Sequence, residues 1–395
     1  MENNVLSGIR ILDFSRVLAG PYATMTLGDF GAEVIKVQTR NTATGAESNT
    51  TPYFAAWNRN KKSITLNLAL PEAREIALRL VSLCDVVVEN FSPRVMSNWG
   101  LNYERLVEVK KDLIMVSMSG MGQTGPWKDY VAYAPTVQSL AGLTYLTSYG
   151  REVPIGLGHS YGDVISGLYG TVAVLSALEY RSRTGLGQYV DLSEYEVVCS
   201  LLGPTLMDVA ANQADPVPPG NRSPDIAAAP YGCYRCAGDD RWCVIAVFND
   251  TEWHALCTVS KHPEWIADER FRTAEARKKN EEELDRLIEQ WTSGCDAKWT
   301  MQALQEAGVA AGVVQNAEDL AGDPQLKARE FFVPSLHPAL GATFMDRTPI
   351  RMASGSPQTC STAPSLGADN RYVYLELLGL SESEFQTYGE NGVFS

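Results

Sequence analysis

Residues 156–180 read GLGHSYGDVISGLYGTVAVLSALEY, and they predict the helix around which the rest of the chain is arranged. Between Val164 and Leu178 the residues are apolar or small, with glycine or alanine at positions 167, 170, 173 and 177. Steps of three and four residues place these small residues on one helix face. We therefore expect another element to pack closely against that face.

One carboxylate, Asp163, stands at the start of the predicted helix. A structural interpretation makes it the N-cap, because aspartate oxygens accept hydrogen bonds from the free N–H groups of a helix start. A functional interpretation makes it a catalytic carboxylate that the helix dipole keeps ionised. The two interpretations are compatible, and residues elsewhere in the chain have to decide between them.

The first half of the chain alternates short apolar strands with helices. Strands are predicted at 9–14, 32–38, 85–90, 113–119 and 188–193, and helices from Gly20 and at 71–83, 102–110 and 195–211. Apolar strands alternating with helices are typical of a parallel sheet covered on both faces. The predicted fold class is α/β, with a Rossmann-like large domain.

The carboxyl ends of the predicted strands form the expected ligand-binding edge of this sheet. The turn after the first strand, SRVLAGP (15–21), lacks the GxGxxG fingerprint, and the chain has no P-loop motif. These absences argue against dehydrogenases and P-loop nucleotide hydrolases. After the third predicted strand, Asn90 offers an amide and Phe91 a flat ring, which suits an amide-containing or purine ligand. An ordinary turn is the alternative.

Residues 213–230 are rich in proline and polar side chains, and they predict a linker or a lid loop. The large domain then comprises residues 1–212. After the linker, a hairpin and several helices predict a small α+β domain over 231–308. Residues 309–395, with a strand expected at 345–352, return to the large domain.

Charge and cysteine content favour a cytoplasmic protein. The net charge of −14 over 395 residues argues against nucleic acid and anionic membranes as partners. We find no signal peptide and no apolar run long enough to span a membrane. The eight cysteines are expected to be reduced. Cys233 and Cys236 form a CxxC motif without a second pair for zinc and without a helix start for redox chemistry, so no metal is predicted.

Further motifs occur in a fixed order over nearly the whole chain. They are LSGIRILDFSRVLAGPYATMTLGDFGAEVIKVQ (6–38), NRNKKSITLNL (58–68), DVVVENFSP (85–93), SMSGMGQTGP (117–126), GDVISGLYG (162–170), ALEYRSRTGLGQYVDLS (177–193) and PSLGADN (364–370). Together they closely resemble family III CoA-transferases, which include formyl-CoA:oxalate, carnitine and benzylsuccinate CoA-transferases. The related 2-methylacyl-CoA racemases share the pattern.

The resemblance implies a large Rossmann-like domain, an inserted smaller domain and two interlocked chains. It also implies that Asp163 attacks an acyl-CoA donor to give a mixed anhydride, which the released CoA thiolate converts to an aspartyl-CoA thioester. The acceptor carboxylate then enters by the reverse steps. A carboxylate with a pKa of about 4 is ionised at neutral pH and needs no base. CoA thioesters are substrates, and no tightly bound cofactor is expected.

The resemblance also marks residues for CoA binding and for stabilising charge. Backbone N–H groups near Gly162 and in the 213–225 loop are candidates for binding a developing oxyanion. Arg40 and Arg94 are the nearest basic candidates for the CoA phosphates, although Thr39 and Asn98 stand where other members often carry a basic residue. The full set of expected CoA-binding residues is Leu18, Ala19, Arg40, Leu66, Asn67, Asn90, Phe91, Ser92 and Arg94.

The substrate and two alternative functions stay open. Leu18 replaces a common glutamine and, with Trp127, Tyr133, Tyr145 and Tyr149, suggests an apolar or aromatic pocket. We expect succinyl-CoA as donor and a substituted succinate, such as benzylsuccinate, as acceptor. A racemase would need a histidine where Tyr133 stands, unless His159 replaces it. The other alternative is a CoA-binding subunit of a heteromeric transferase, in place of a homodimer.

Overall fold

The computed structural model describes residues 4–355, 357 and 361–395, and these form two compact units. The first unit comprises Met1–Thr144, Gly156–Ala214 and Gln325–Ser395, and the second comprises Tyr145–Ile155 and Asp215–Pro324. The sequence-based division placed 309–395 in the large domain. Residues 309–324 group with the second unit instead, because the strand at 310–313 pairs within the sheet of that unit.

The strands form three sheets. A parallel sheet contains β1 (Arg10–Asp13), β2 (Glu33–Gln38), β3 (Lys61–Thr65), β4 (Val86–Glu89), β5 (Ile114–Ser119) and β6 (Gln188–Ser193). An antiparallel sheet in the second unit contains β7 (Tyr231–Arg235), β8 (Trp242–Ala246) and β9 (Ala310–Val313). A hairpin in the first unit contains β10 (Phe332–His337) and β11 (Gly341–Asp346).

The helices are numbered along the chain. They are α1 (Ala19–Asp29), α2 (Pro52–Trp57), α3 (Pro71–Ser82), α4 (Arg94–Asn98), α5 (Tyr103–Val109), α6 (Ala134–Leu140), α7 (Leu143–Leu146), α8 (Tyr161–Thr184), α9 (Glu194–Ser200), α10 (Gly203–Asn212), α11 (Asp250–Val259), α12 (Glu264–Ala267), α13 (Ala274–Lys279), α14 (Glu281–Thr292), α15 (Ala297–Glu306), α16 (Ala317–Gly322), α17 (Pro324–Ala328) and α18 (Glu382–Glu390). A 3-10 turn lies at Gly45–Glu47 and a π-helical segment at Tyr372–Leu377.

The parallel sheet has the strand order β3-β2-β1-β4-β5-β6, which is the order of doubly wound Rossmann folds. Successive residues of β1 pack into hydrophobic cores on opposite faces of the sheet. Ile11 packs with α1 and α8, whereas Leu12 packs with α3 and the C-terminal segment. The prediction of a parallel α/β sheet buried on both faces is confirmed. The chain changes direction between β1 and β4, so ligands are expected beside their carboxyl ends.

The C-terminal segment closes one edge of this sheet. The N–H groups on the outer edge of β3 donate hydrogen bonds to side chains of the PSLGADN motif. The Ser63 N–H donates to Asp369 Oδ2 at 2.8 Å, and the Thr65 N–H donates to Asn370 Oδ1 at 2.9 Å. An open strand edge would otherwise expose these groups to pairing with other chains. The motif therefore has a structural role in the fold.

Several element predictions need correction. Strand β3 was not predicted, and the strand expected at 345–352 lies instead in the hairpin that ends at Asp346. The helix expected over 195–211 is two helices, α9 and α10, because Pro204 interrupts the N–H pattern and begins a new helix. The N-cap of α8 is Ser160, so Asp163 is the third residue of the helix and not its cap.

Helix α8 packs against α1 through its small residues, as predicted. A Cβ atom at Gly167 would lie 2.8 Å from the Ala19 carbonyl oxygen, and one at Gly170 would lie 3.3 Å from the Ala23 Cβ atom. Helix α8 is long and apolar enough to cross a membrane by length and composition alone, a property that it shares with core helices of soluble proteins.

Replacing Gly167 with alanine is predicted to destabilise the fold. The added methyl group must displace a backbone carbonyl, and overpacking of this kind costs ~1–3 kcal/mol. That cost exceeds the ~1 kcal/mol that alanine gains over glycine inside a helix. Chemical denaturation compares Gly167→Ala with Gly203→Ala, a helical site where nothing lies within 4 Å of the new Cβ. Equal stability of the two variants would contradict the close packing of α1 and α8.

Candidate active site

A buried carboxylate, Asp13, fixes the turn between β1 and α1. Its Oδ1 accepts hydrogen bonds from the Ser15 N–H and hydroxyl groups, and its Oδ2 accepts from Lys61 Nζ at 3.0 Å and Thr24 Oγ1 at 2.7 Å. Lys36 Nζ lies 4.0 Å from Oδ2. Burial alone would raise the pKa of Asp13, but the two lysines outweigh it and lower this pKa to about 2. Asp13 is therefore ionised at neutral pH.

A second set of bonds joins this turn to the end of β4, where the sheet changes direction. Asn90 accepts from the Arg16 N–H at 2.7 Å and donates to the Arg16 carbonyl at 2.8 Å. The next residue, Val17, has a φ of 64°, an unfavourable conformation for a β-branched side chain. Its N–H donates to Glu47 Oε1 at 3.0 Å. Asn90 thus positions the backbone at the ligand-binding edge, and its amide is occupied in this structure.

Asp163 lies in the first turn of α8, partly buried, with its Oδ2 atom enclosed and without a hydrogen-bond partner among the described residues. Burial raises the pKa of Asp163 to about 6, and a hydrogen bond from its own backbone N–H lowers it only in part. This value is higher than the ordinary carboxylate pKa assumed from the sequence. The carboxylate is still about tenfold more ionised than protonated at pH 7. A dehydrated, ionised carboxylate without a cation is suited to nucleophilic attack.

The expected CoA-binding residues lie near the carboxyl ends of the parallel strands. Those around β1 and β4 are brought together, since Asn90 bonds the loop that leads into Leu18 and Ala19. Leu66 is fully buried, whereas Arg40 and Ser92 are exposed. Phe91 packs edge-on against Trp99, and the exposed Arg94 lies 3.3 Å from Asp129. Asn67 accepts a hydrogen bond from the Ala69 N–H. Their roles in CoA binding stay predictions.

Comparison with known proteins identifies the family. The profile of CoA-transferase family III matches residues 6–370. The chain belongs to CoA-transferase family III. A succinyl-CoA–D-citramalate CoA-transferase of Chloroflexus aurantiacus is 34% identical over 96% of this chain and 95% of its own length. A succinyl-CoA:mesaconate CoA-transferase of Haloarcula marismortui is 34% identical over 91% of this chain and 93% of its own.

Solved structures agree with the fold of this transferase. A crystal structure of a CaiB/BaiF family protein from Brucella suis covers 95% of this chain and 100% of its own, with a TM-score of 0.87 and 32% identity. The resemblance that was inferred from the motifs is therefore confirmed at the level of the family and of the enzyme class.

Two ionisable residues near Asp163 were missed in the sequence analysis. Glu194, the first residue of α9, is buried, and Asp163 is close enough to contribute to its raised pKa. Tyr53 on α2 has a pKa that is raised by burial and by the charges of Asp163 and Glu47. Neither residue lies near Asp163 in the sequence, and only the packing of α2 and α9 reveals them. In the folded chain Asp163 therefore has a second carboxyl group, Glu194, and a phenol, Tyr53, within range of its charge.

Two polar groups of α8 near Asp163, the Gly162 N–H and the Ser166 hydroxyl, have surroundings that the sequence does not reveal. The Gly162 N–H donates to Gln138 Oε1 at 3.1 Å, so this backbone group, expected to be available for an oxyanion, is occupied here. Ser166, one turn further along α8, is fully buried, and its hydroxyl has no hydrogen-bond partner among the described residues. Gln138 therefore supports the start of α8. Ser166 lies three residues after Asp163 on the same face of α8, and its hydroxyl has no partner among the described residues.

The aromatic residues proposed for the acyl pocket have varied surroundings. Trp127 stacks on Tyr130, and exposed Tyr133 is the N-cap of α6. Tyr145 and Tyr149 belong to the second unit, where their hydroxyl groups donate to Pro216 O and Asn221 Oδ1 respectively. His159 is exposed and does not influence the pKa of Asp163.

The CxxC cysteines are poor candidates for chemistry. Burial, with smaller contributions from neighbouring groups, raises the pKa of Cys236 to about 11, and burial also raises that of Cys233. Both thiols therefore stay protonated at neutral pH, whereas metal binding and disulfide exchange need thiolates. Within the described part of the chain, no group of three or more His, Cys, Asp or Glu side chains is arranged to hold a metal ion. Cys360 lies outside the described residues.

Replacing Asp163 with asparagine is predicted to stabilise the transferase at neutral pH. The folded pKa of about 6 exceeds the ordinary value of 3.8, so the wild type loses stability relative to a neutral variant as pH rises between these values. The difference corresponds to at most ~3 kcal/mol. Melting temperatures of Asp163→Asn and wild type should converge below pH 4 and separate above pH 6. The exposed Asp239→Asn control should show no such trend, and a pH-independent effect of Asp163→Asn would contradict the buried charge.

Proposed function

We propose that this family III CoA-transferase moves CoA from succinyl-CoA to a substituted succinate through covalent intermediates on Asp163. The observation that carries the proposal is the partly buried, unpaired Asp163 carboxylate at the start of α8. Its surroundings contain no cation that shifts its pKa among the described residues, so its oxygen atoms are not committed to an ion pair. They remain available to attack an acyl carbon.

The proposed reaction uses the carboxylate twice. Asp163 attacks the thioester carbonyl of the donor, and the C–S bond breaks to release CoA thiolate and an aspartyl-succinyl anhydride. The thiolate then attacks the aspartyl carbonyl, which releases succinate and leaves an aspartyl-CoA thioester. An acceptor carboxylate repeats these steps in reverse. Each intermediate keeps the activation of the original thioester only where water is excluded, which the burial around Asp163 favours.

The acceptor class follows from the relatives together with the sequence. One relative is named for D-citramalate and another for mesaconate, and both use succinyl-CoA by name. Citramalate is a succinate with methyl and hydroxyl substituents, and mesaconate is an unsaturated methyl analogue. We therefore propose a succinate with a small substituent as the acceptor. Benzylsuccinate, suggested by the apolar residues, requires a larger pocket and is the second acceptor to test.

We propose that CoA binds along the carboxyl edge of the parallel sheet. The loop between β1 and α1 and the residues after β4 meet there, and the close packing of α8 on Ala19 places the start of the nucleophile helix beside them. Arg40 is exposed and has no described ion pair, so it is available for a phosphate group.

Incubation with succinyl-CoA should give a CoA adduct on the peptide that contains Asp163. Intact mass and peptide mapping detect this adduct, and an assay with citramalate, mesaconate, glutarate and benzylsuccinate identifies the acceptor. Asp163→Asn should lose the adduct and at least about a thousandfold in transfer rate. The Asp239→Asn control should keep both.

Other outcomes would redirect the assignment. An adduct with acetyl-CoA but not with succinyl-CoA would retain the mechanism and change the donor. Deuterium exchange into a 2-methylacyl-CoA without any adduct would indicate the racemase reaction. A CoA adduct in Asp163→Asn equal to that of the wild type would contradict the role of Asp163.

We also propose that the active form is a homodimer. In the isolated chain, α8 and α10 expose a series of large apolar side chains: Leu168, Val172, Leu175, Leu206, Met207 and Val209. Val172 and Met207 are 61% and 67% exposed. Exposed apolar surfaces of this kind mark protein interfaces, and identical chains most often pair through a two-fold interface. The interlocked form expected from the family is one such arrangement.

Sedimentation equilibrium should give twice the mass of the chain for the wild type. Val172→Lys places a charge on the proposed interface and should shift the equilibrium to monomer, whereas Lys298→Glu, on the second unit, should leave it unchanged. A monomeric and fully active wild type would contradict the dimer. A monomer that gains activity only with a related chain would favour a heteromeric transferase.

A further inference from the structure

Glu194 is a buried carboxyl group that the proposed reaction does not yet use. It follows β6 directly and begins α9, with 7% of its surface exposed. In the described part of the chain, no cation and no hydrogen-bond donor lowers the pKa of Glu194. An isolated buried carboxylate is very costly, so such a group retains its proton.

The elements around Glu194 supply one charged neighbour. Helix α6 carries no ionisable side chain, and Glu196, two residues further along α9, is exposed. The ionisable residues on the N-terminal half of α8 and on the rest of α9 are Tyr161, Asp163, Tyr169, Tyr195, Glu196 and Cys199. Of these, only Asp163 shifts the pKa of Glu194, which burial and this neighbour together raise to about 8. The two carboxyl groups therefore hold one negative charge at neutral pH.

We propose that Glu194 is a positioning residue, held as a neutral acid beside the nucleophile so that Asp163 carries the only negative charge of the pair. The proposal rests on the proposed function of Asp163. It also explains why the pocket tolerates two neighbouring acids without a compensating cation.

The proton on Glu194 matters most when charge moves from Asp163 to the substrate. As Asp163 attacks, the C=O electron pair of the thioester becomes an oxyanion, which then re-forms the carbonyl and expels CoA thiolate. A second negative charge next to these groups would oppose every species along this path. The proton stays on Glu194 throughout, so the step is balanced without acid–base transfer.

The test compares pH profiles of kcat/KM for wild type, Glu194→Gln and Glu196→Gln, with succinyl-CoA as donor. The wild type should lose activity below about pH 6, where Asp163 is protonated, and above about pH 8, where Glu194 ionises. Glu194→Gln should keep the acid limb of the profile and lose the alkaline limb. Glu196→Gln should retain both limbs.

A second measurement does not depend on activity. Because the pKa of Glu194 is raised from 4.5 in the unfolded chain to about 8 in the folded one, wild-type stability should fall relative to Glu194→Gln as pH rises between these values. Melting temperatures across pH 4–9 record this divergence, and Glu196→Gln should not show it.

The outcomes separate this proposal from the proposed function. An alkaline limb that persists in Glu194→Gln, or a uniform loss of rate without a change of shape, would overturn the positioning role. Parallel melting curves for wild type and Glu194→Gln would overturn the buried proton. If no CoA adduct forms on Asp163 in any variant, the proposed function fails, and the melting curves alone decide whether Glu194 is protonated.

Discussion

The ion cluster at Asp13 is the interaction on which the ligand-binding edge depends. Asp13, Lys36 and Lys61 are all buried, and the Lys61 ammonium also donates to the Pro21 carbonyl at 3.0 Å. Burial of such groups is costly, and removing one partner from a buried ion pair destabilises proteins by ~3–5 kcal/mol. The cluster joins β1, β2, β3 and the start of α1 in one network. The turn that precedes α1 therefore has one well-defined conformation.

The position of that turn determines where Asp163 lies. Helix α1 starts beside it, and α8 packs on α1 so closely that Gly167 has no space for a side chain. Asp163 is then fixed by the start of α8, while Gln138 binds the N–H of Gly162. A chain of packing contacts thus connects the Asp13 cluster to the Asp163 carboxylate. In the proposed reaction, preorganisation of this kind lowers the cost of orienting Asp163.

Among the described residues, two lysines lie beside Asp13, whereas no cation shifts the pKa of Asp163. Two lysines lower the pKa of Asp13 to about 2, whereas Asp163 and Glu194, with no such partners, have pKa values of about 6 and about 8. Burial raises all three pKa values, and at Asp13 the two lysines together with hydrogen bonds from Ser15 and Thr24 outweigh it. Burial and neighbouring groups thus give three carboxyl groups of similar intrinsic acidity different pKa values.

The sequence predicted features that repeat locally, and it missed those that arise from distant contacts. The apolar runs of β1, β2, β4 and β5 and the small-residue face of α8 are local patterns, and they were predicted correctly. Strand β3 reads KKSIT, in which the lysines suggest a surface segment until the Asp13 cluster is known. Glu194 follows β6 as one more polar residue, and only the packing of α9 against α8 reveals that it interacts with Asp163.

The central claim is that Asp163 forms the covalent intermediates, and oxygen labelling tests it most directly. The acceptor acid is labelled with 18O in its carboxylate, a single turnover is run with succinyl-CoA, and the peptide that contains Asp163 is weighed. The anhydride route transfers one acceptor oxygen to the enzyme, so a gain of about 2 Da on Asp163 is predicted. CoA transfer at full rate with no label on Asp163 would contradict the account.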